Sequence, residues 1–312
     1  MYRYTLNNGV ELPWIAFGTG VVWKYSRNPY LFLKWLARRA LSSVRNVRMD
    51  RELKGNLCMD RILREAYASG YRMFDTGRIY GYSEKKLGKL RTRGIRGDFC
   101  VITKCSGMDL ARKGTPDTVK GNLDLSLSYL KSNYVDVYLL HWPEGDWIES
   151  YRQIVALCKE GHIKSYGCCN TSLSHLARIE EKELPLPIVI QTEIHPLNGN
   201  LTLRAYCREH GIQLMAHTPT GRMSREIREC PVLQGLSEKY HKSIAQIIVR
   251  WHFQNGIIPV VSSFRTPHMR ENLDIFDFGL SQGEMEEIDG LDQGLRYLNT
   301  EGIDDPNYIY NL

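Results

Sequence analysis

Apolar positions along this chain fall into short unbroken runs that alternate with longer stretches where they return every three or four residues. The runs are WIAFG (14–18), YRMFD (71–75), FCVITK (99–104), VDVYLLH (135–141), SYGCCN (165–170), IVIQTE (188–193), IQLMAH (212–217) and IIPVVS (257–262). Between them lie stretches such as MDRILREAYASG (59–70), DTVKGNLDLSLSYLK (117–131) and ESYRQIVALCKEGH (149–162). In the second of these, Val119, Leu123, Leu127 and Leu130 repeat at helical spacing. The runs predict strands and the periodic stretches predict helices, with Gly70 and Gly161 standing where helix C-caps belong. Strands that are apolar without alternation belong to a parallel sheet covered on both faces. Eight such β-then-α units, closed on themselves, make an α/β fold of the (β/α)8 TIM-barrel type. The opening YRYTLNNGVELP, with its Asn8-Gly9 turn, predicts a β-hairpin outside the repeat.

The competing architecture is an open doubly wound sheet with a glycine-rich dinucleotide turn. The nearest match, GTGVVW (18–23), lacks the third glycine and opens no helix, which favours the barrel. One segment breaks the repeat. In residues 24–56, Leu33, Leu36, Ala40, Val44 and Val47 recur at helical spacing, with Lys34, Arg38, Arg39, Arg45 and Arg48 largely elsewhere. This predicts a basic amphipathic helix inserted in the first βα loop of a single 1–312 barrel domain. Two readings of it stand: a lid or buttress on the barrel, or a contact with an anionic membrane surface or protein partner.

Composition removes several classes. With 43% hydrophobic and 24% charged residues, 12 Pro and 26 Gly, the chain is of ordinary globular make-up, not collagen-like, disordered or coiled-coil. A net charge of +6 without any nucleic-acid motif argues against a nucleic-acid partner and mildly favours anionic ligands. The eight cysteines form no CxxC pair, so they are expected as reduced thiols rather than disulfides or metal ligands. The N-terminus has no apolar signal-peptide core, and no apolar run spans a bilayer, so a soluble cytoplasmic protein is expected.

In a (β/α)8 barrel, functional side chains gather at the C-terminal strand ends. Here those ends carry Asp75, Lys104, His141, Asn170, Gln191 and His217. Each alone has a plain explanation: Asp75 as a helix cap, Lys104 as a solvated end, His141 as a core histidine. Six at successive ends point to a site. The stretch FDTGRIYGY adds two tyrosines, Tyr80 and Tyr82, either of which alone reads as packing.

The stretches FDTGRIYGYSEKKLG, VITK, YLLHWP, GCCN, VIQTEIHP and IPVVSSFRTPHMRENLDIFDF resemble the aldo-keto reductases over nearly the whole chain, 24–56 excepted. The resemblance implies a barrel that reduces aldehydes and ketones with a nicotinamide cofactor and no metal. It assigns proton delivery to Tyr80, five residues after Asp75, and leaves Tyr82 outside the tetrad. A carbonyl that accepts hydride needs a proton on its oxygen. Lys104, held charged by Asp75, would draw the Tyr80 phenol toward ionisation, and His141 would direct the oxygen. Trp23 and Trp142 would wall the substrate mouth. The resemblance further implies that Asn170 and Gln191 clamp the nicotinamide carboxamide, with Cys169 where serine is usual and His217 where a tyrosine normally stacks. At the adenosine end Asn272 matches. His268 and Ser262 stand where Arg and Lys are usual, and Ser263, Arg265 and Arg270 lie near enough to help hold a 2′-phosphate. NADPH is the expected cofactor, with NADH as the alternative, and a small carbonyl compound is the expected substrate. The other functional class kept open is a catalytically silent nucleotide-binding sensor or regulatory subunit acting through the insertion.

Overall fold

The computed structural model describes residues 2–20, 51–92, 99–105 and 118–298, over 51–58 as backbone only. An antiparallel hairpin of β1 (Arg3–Thr5) and β2 (Glu11–Pro13) comes first, with Tyr4 opposite Leu12. The barrel strands are β3 (Ala16–Gly18), β4 (Met73–Asp75), β5 (Cys100–Cys105), β6 (Val135–Leu140), β7 (Ile163–Cys169), β8 (Val189–Glu193), β9 (Gln213–His217) and β10 (Ile258–Val261). Around them run α1 (Arg51–Ser69), α2 (Ser83–Thr92), α3 (Val119–Leu130), α4 (Trp147–Lys159), α5 (Leu173–Glu181) and α6 (Leu201–Glu209). The outer layer is completed by α7 (Arg225–Arg228), α8 (Pro231–Tyr240), α9 (Ile244–Gln254), α10 (Thr266–Glu271) and α11 (Gln282–Asp289). The eight strands β3 to β10 close into a barrel, each parallel to its neighbours, with β10 pairing β3. Every expected strand overlaps one of them.

Alternation along the strands divides the apolar side chains into two cores. Ala16, Met73, Ile102, Val137, Leu139, Val189, Met215, Ile258 and Val260 fill the interior, joined by Leu6 and Leu12 of the hairpin. The neighbouring positions Phe17, Phe74, Val101, Tyr138, Leu140, Ile190, Leu214 and Ala216 pack against the helices instead. Burial of each large apolar side chain stabilises the barrel by roughly 1.5–3 kcal/mol. The hairpin sits beneath the N-terminal strand ends, where Asn8 Nδ2 donates to the Lys164 carbonyl at 2.9 Å. Its turn is a three-residue loop: Gly9 N–H donates to Leu6 O at 2.9 Å, and Gly9 takes φ +82°, open to glycine without strain.

Local signals mark the helix ends. Thr118 caps α3 by accepting from Gly121 N, and Gly70 ends α1 at φ +118°. One boundary differs from expectation: α1 begins at Arg51, not near Met59. Gly55 and Asn56 interrupt an otherwise helix-favouring stretch, so the sequence pattern did not reveal that turn. Residues 51–56, expected as part of the insertion, are thus continuous in backbone with the first barrel helix. The rest of the insertion lies outside the described residues.

Candidate active site

The same alternation that builds the interior delivers polar groups to its mouth. Two residues beyond the inward Met73, Ile102, Leu139, Val189 and Met215 stand Asp75, Lys104, His141, Gln191 and His217. Lys104 is fully buried and donates to Asp75 Oδ1 at 2.7 Å, Asp75 Oδ2 at 2.6 Å and the Thr76 carbonyl at 2.8 Å. Asp75 is therefore the partner of Lys104 and not a helix cap. Gln191 Nε2 donates to the same carboxylate at 2.8 Å. Gln191, expected as a carboxamide clamp, also steadies the buried ion pair.

Tyr80 reaches this group from the loop between β4 and α2. Its hydroxyl lies 3.3 Å from His141 Nε2, and Lys104 Nζ sits 5.2 Å from its ring centre. Tyr82, by contrast, is 59% exposed. The loop is clamped from below, a feature the sequence reading missed. Buried Arg78 donates to Glu84 Oε2 at 2.8 Å, while Thr103, next to Lys104 on β5, donates to Glu84 Oε1 at 2.7 Å. Thr76 and Ser83 hydroxyls meet at 2.6 Å across the loop. Gly20 abuts the Tyr80 ring, which a Cβ there would approach to 3.2 Å. The absence of a side chain at Gly20 leaves room for the tyrosine ring.

Burial pushes the Tyr80 phenol above its ordinary range, and the Lys104 charge pulls against that without prevailing. As expected in direction, Lys104 favours the phenolate, while burial of the ring opposes it more strongly in the protein alone. Burial also opposes the Lys104 ammonium, but Asp75 and then Tyr80 outweigh it, and its pKa is raised. His141 is held well below its usual value by burial, then by the Lys104 charge and His217. It is neutral, and its Nδ1 meets no hydrogen-bond partner among the described residues. An orphaned lone pair is tolerated better than an orphaned N–H. The proton is therefore assigned to Nε2, the nitrogen facing Tyr80.

On the opposite side of the mouth, Asn170 takes a left-handed φ of 54°. Its Nδ2 donates to the His141 carbonyl at 3.2 Å, and its Oδ1 lies 2.9 Å from His217 Nε2. His217 Nδ1 lies 3.3 Å from Thr218 Oγ1. These partners make Nε2 the donor and Nδ1 the acceptor of a neutral ring, whose pKa burial lowers to about 4. The Cys169 thiol is buried in the barrel interior, with Lys104 and Asp75 close enough to act on it. Trp142 is 3% exposed and stacks beside His141 at 6.2 Å, so it braces the imidazole. Trp23 lies outside the described residues. At the far end, Ser262, Arg265, His268 and Arg270 are exposed on and before α10, and Ser263 accepts from Arg265 N at 3.1 Å. Asn272 is buried near Tyr71, whose hydroxyl donates to the Met269 carbonyl at 3.1 Å. Glu193, two positions past Gln191 on the same parity, is a buried carboxylate at the mouth that the sequence reading also missed.

The comparisons with known proteins agree with this geometry. Residues 59–293 match the model of the aldo/keto reductase family. The chain is 35% identical over 301 residues to the uncharacterized oxidoreductase YtbE of Bacillus subtilis, covering 94% of each chain. It is 32% identical over 293 residues to the glyoxal reductase of the same organism, covering 93% of each. Among solved structures, the Bombyx mori aldo-keto reductase in complex with NADP superposes with a TM-score of 0.78 at 25% identity, covering 99% of both chains. A family match over this span, with relatives at these identities, places the chain in the aldo/keto reductase family of NAD(P)H-dependent oxidoreductases.

Proposed function

We propose that this chain reduces a small aldehyde or ketone to the alcohol, with NADPH as reductant and Tyr80 as proton donor. One observation carries the proposal: the Tyr80 hydroxyl and the neutral His141 Nε2 stand 3.3 Å apart beside the Asp75–Lys104 pair. Once the substrate separates them, both can donate to one carbonyl oxygen, where negative charge develops as hydride arrives. Tyr80 then gives up its proton, and Lys104 stabilises the phenolate left behind. His141 fixes the direction of the oxygen, and Asp75 with Gln191 fixes Lys104.

The residues present fit a phosphorylated dinucleotide. The Asn170 amide and the half-buried His217 ring suit the nicotinamide end, and the exposed Arg265 and Arg270 guanidiniums suit a phosphate. When bound, the cofactor supplies the hydride. The similarity to an NADP-bound reductase supports NADPH over NADH, and the similarity to a glyoxal reductase supports small 1,2-dicarbonyls as first substrates. Cytosolic placement belongs to the same proposal, supported by cysteines that stand as free thiols. The silent-sensor alternative is not carried forward, since the four-residue constellation is complete and the relatives carry oxidoreductase names.

The test is turnover of NADPH with glyoxal, its methyl homologue and a panel of simple aldehydes. Tyr80→Phe should lose at least about a hundredfold in kcat while NADPH still quenches tryptophan fluorescence. Undiminished turnover in that variant would refute the role of Tyr80.

A further inference from the structure

We infer that Glu193 is a positioning residue, fastening the C-terminal segment onto the His217 side of the barrel mouth and so holding the nicotinamide-facing groups in place. A carboxylate taken out of water is costly unless its oxygens are paired. Glu193 is 2% exposed, and no step on Tyr80 uses it. Its oxygens are spent on the end of the described chain instead. Tyr297 N–H donates to Oε1 at 2.7 Å and Leu298 N–H to Oε2 at 3.1 Å, while His195 Nε2 lies 3.1 Å from Oε1. Burial opposes the charge, yet these donors keep the carboxyl below its ordinary range.

The fastened segment is tied in turn to two loops of the mouth. Gln293 N and Leu295 N both donate to the Leu197 carbonyl after β8, at 3.1 and 3.0 Å. Tyr297 OH meets Ser224 Oγ at 2.5 Å, and Arg222 donates to the Tyr297 carbonyl at 3.2 Å, both in the loop after β9. That loop is strained: Thr218, Arg222 and Met223 hold φ of 53°, 54° and 49°. Left-handed backbone at a β-branched residue persists only where the surroundings over-determine it, and the segment supplies part of that constraint. Thr218 is the residue whose hydroxyl orients His217, and His217 orients Asn170. The chain of contacts runs from Glu193 through the segment and the strained loop to both groups expected to face the nicotinamide. Glu193 also lies directly across the β8–β9 register from His217.

The proposal rests on the nicotinamide reading of His217 and Asn170, so its test has one arm independent of cofactor. In Glu193→Gln, one acceptor becomes a donor facing a backbone N–H. Hydrogen exchange at the Tyr297 and Leu298 amides should then lose protection. Loss of a charge-assisted hydrogen bond should also raise the NADPH Kd about tenfold by fluorescence titration, with KM for NADPH rising more than kcat falls. Leu298→Pro, which deletes one donor from the other side, should raise Kd similarly, and Leu298→Ala, which keeps the N–H, should not. Because the two changes break one contact, the double variant should be no weaker than the worse single one. Protected amides in Glu193→Gln, an unchanged Kd, or effects that multiply in the double variant would overturn the assignment. If Glu193→Gln does not fold, Leu298→Pro against Leu298→Ala decides alone. A wild-type chain that binds no NADPH overturns the functional reading, whereas binding that the variants leave unaltered overturns only this one.

Discussion

Lys104 shows how much one buried charge organises. Its contacts go to both oxygens of Asp75 and to the Thr76 carbonyl, so its influence on Tyr80 is that of a fixed charge beside the ring. Lys104→Met should cost roughly 3–5 kcal/mol, because Asp75 is left buried without its counter-charge. It should also lower turnover by at least about a hundredfold, since the phenolate formed at Tyr80 loses its neighbour. Thermal melts and steady-state kinetics on the same preparation check both. For the wild type, burial raises the Tyr80 phenol above its usual value. Carbonyl reduction should therefore stay flat through neutrality and fall only as alkaline pH removes that proton; a decline centred near neutral pH would contradict this.

At the scale of elements, the loop from β4 to α2 is positioned by a buried ion pair added to its backbone hydrogen bonds to β5. Glu84 joins Arg78, in the Tyr80 loop, to Thr103, on the Lys104 strand. Glu84→Gln should loosen that spacing and lower kcat about tenfold or more, since small misplacements are costly to proton transfer, with NADPH affinity little changed. A kcat equal to wild type in a folded variant would refute the link. Further along α2, a Cβ on Gly88 would run into the Tyr129 carbonyl oxygen of α3. Gly88→Ala should gain helix propensity of about 1 kcal/mol, yet the collision forces the helices apart. The expected net result is a melting temperature below wild type.

For the whole molecule, the barrel holds several histidines neutral. His217 and His252 are lowered by burial to about 4 and about 3, and His141 lies well below its usual value. In the unfolded chain each titrates near 6.5. As pH falls from about 6.5 toward 4, the unfolded state binds protons that the folded state refuses, so stability is lost across that window and levels off below the folded values. The loss tied to His217 is on the order of 3 kcal/mol. Denaturant midpoints at pH 7 and 4.5 should show it. His252→Gln, which keeps a donor to the Pro219 carbonyl, should reduce the slope. A midpoint indifferent to pH would refute this account.

The strand ends were legible because periodicity and polarity are local properties: Asp75, Lys104, His141, Gln191 and His217 each end an apolar run, and side-chain parity then turns them inward. The family resemblance, and with it the choice of Tyr80 over Tyr82, was also readable along the chain. The partners of those groups were not. Gln191, read as a cofactor clamp, also serves Asp75; Asn272, read as a ligand, is buried beside Tyr71; and Glu193 stood unnoticed in VIQTE although it shares the parity of Gln191. What a polar side chain does at the mouth depends on residues far away in sequence, brought near only when the sheet closes. Desolvation is decided there as well. The sequence by itself determined the barrel and which polar groups stand at its mouth. The closed tertiary structure decided who their partners are and which of them keep their protons, because burial is a property of the packed molecule and not of the residue.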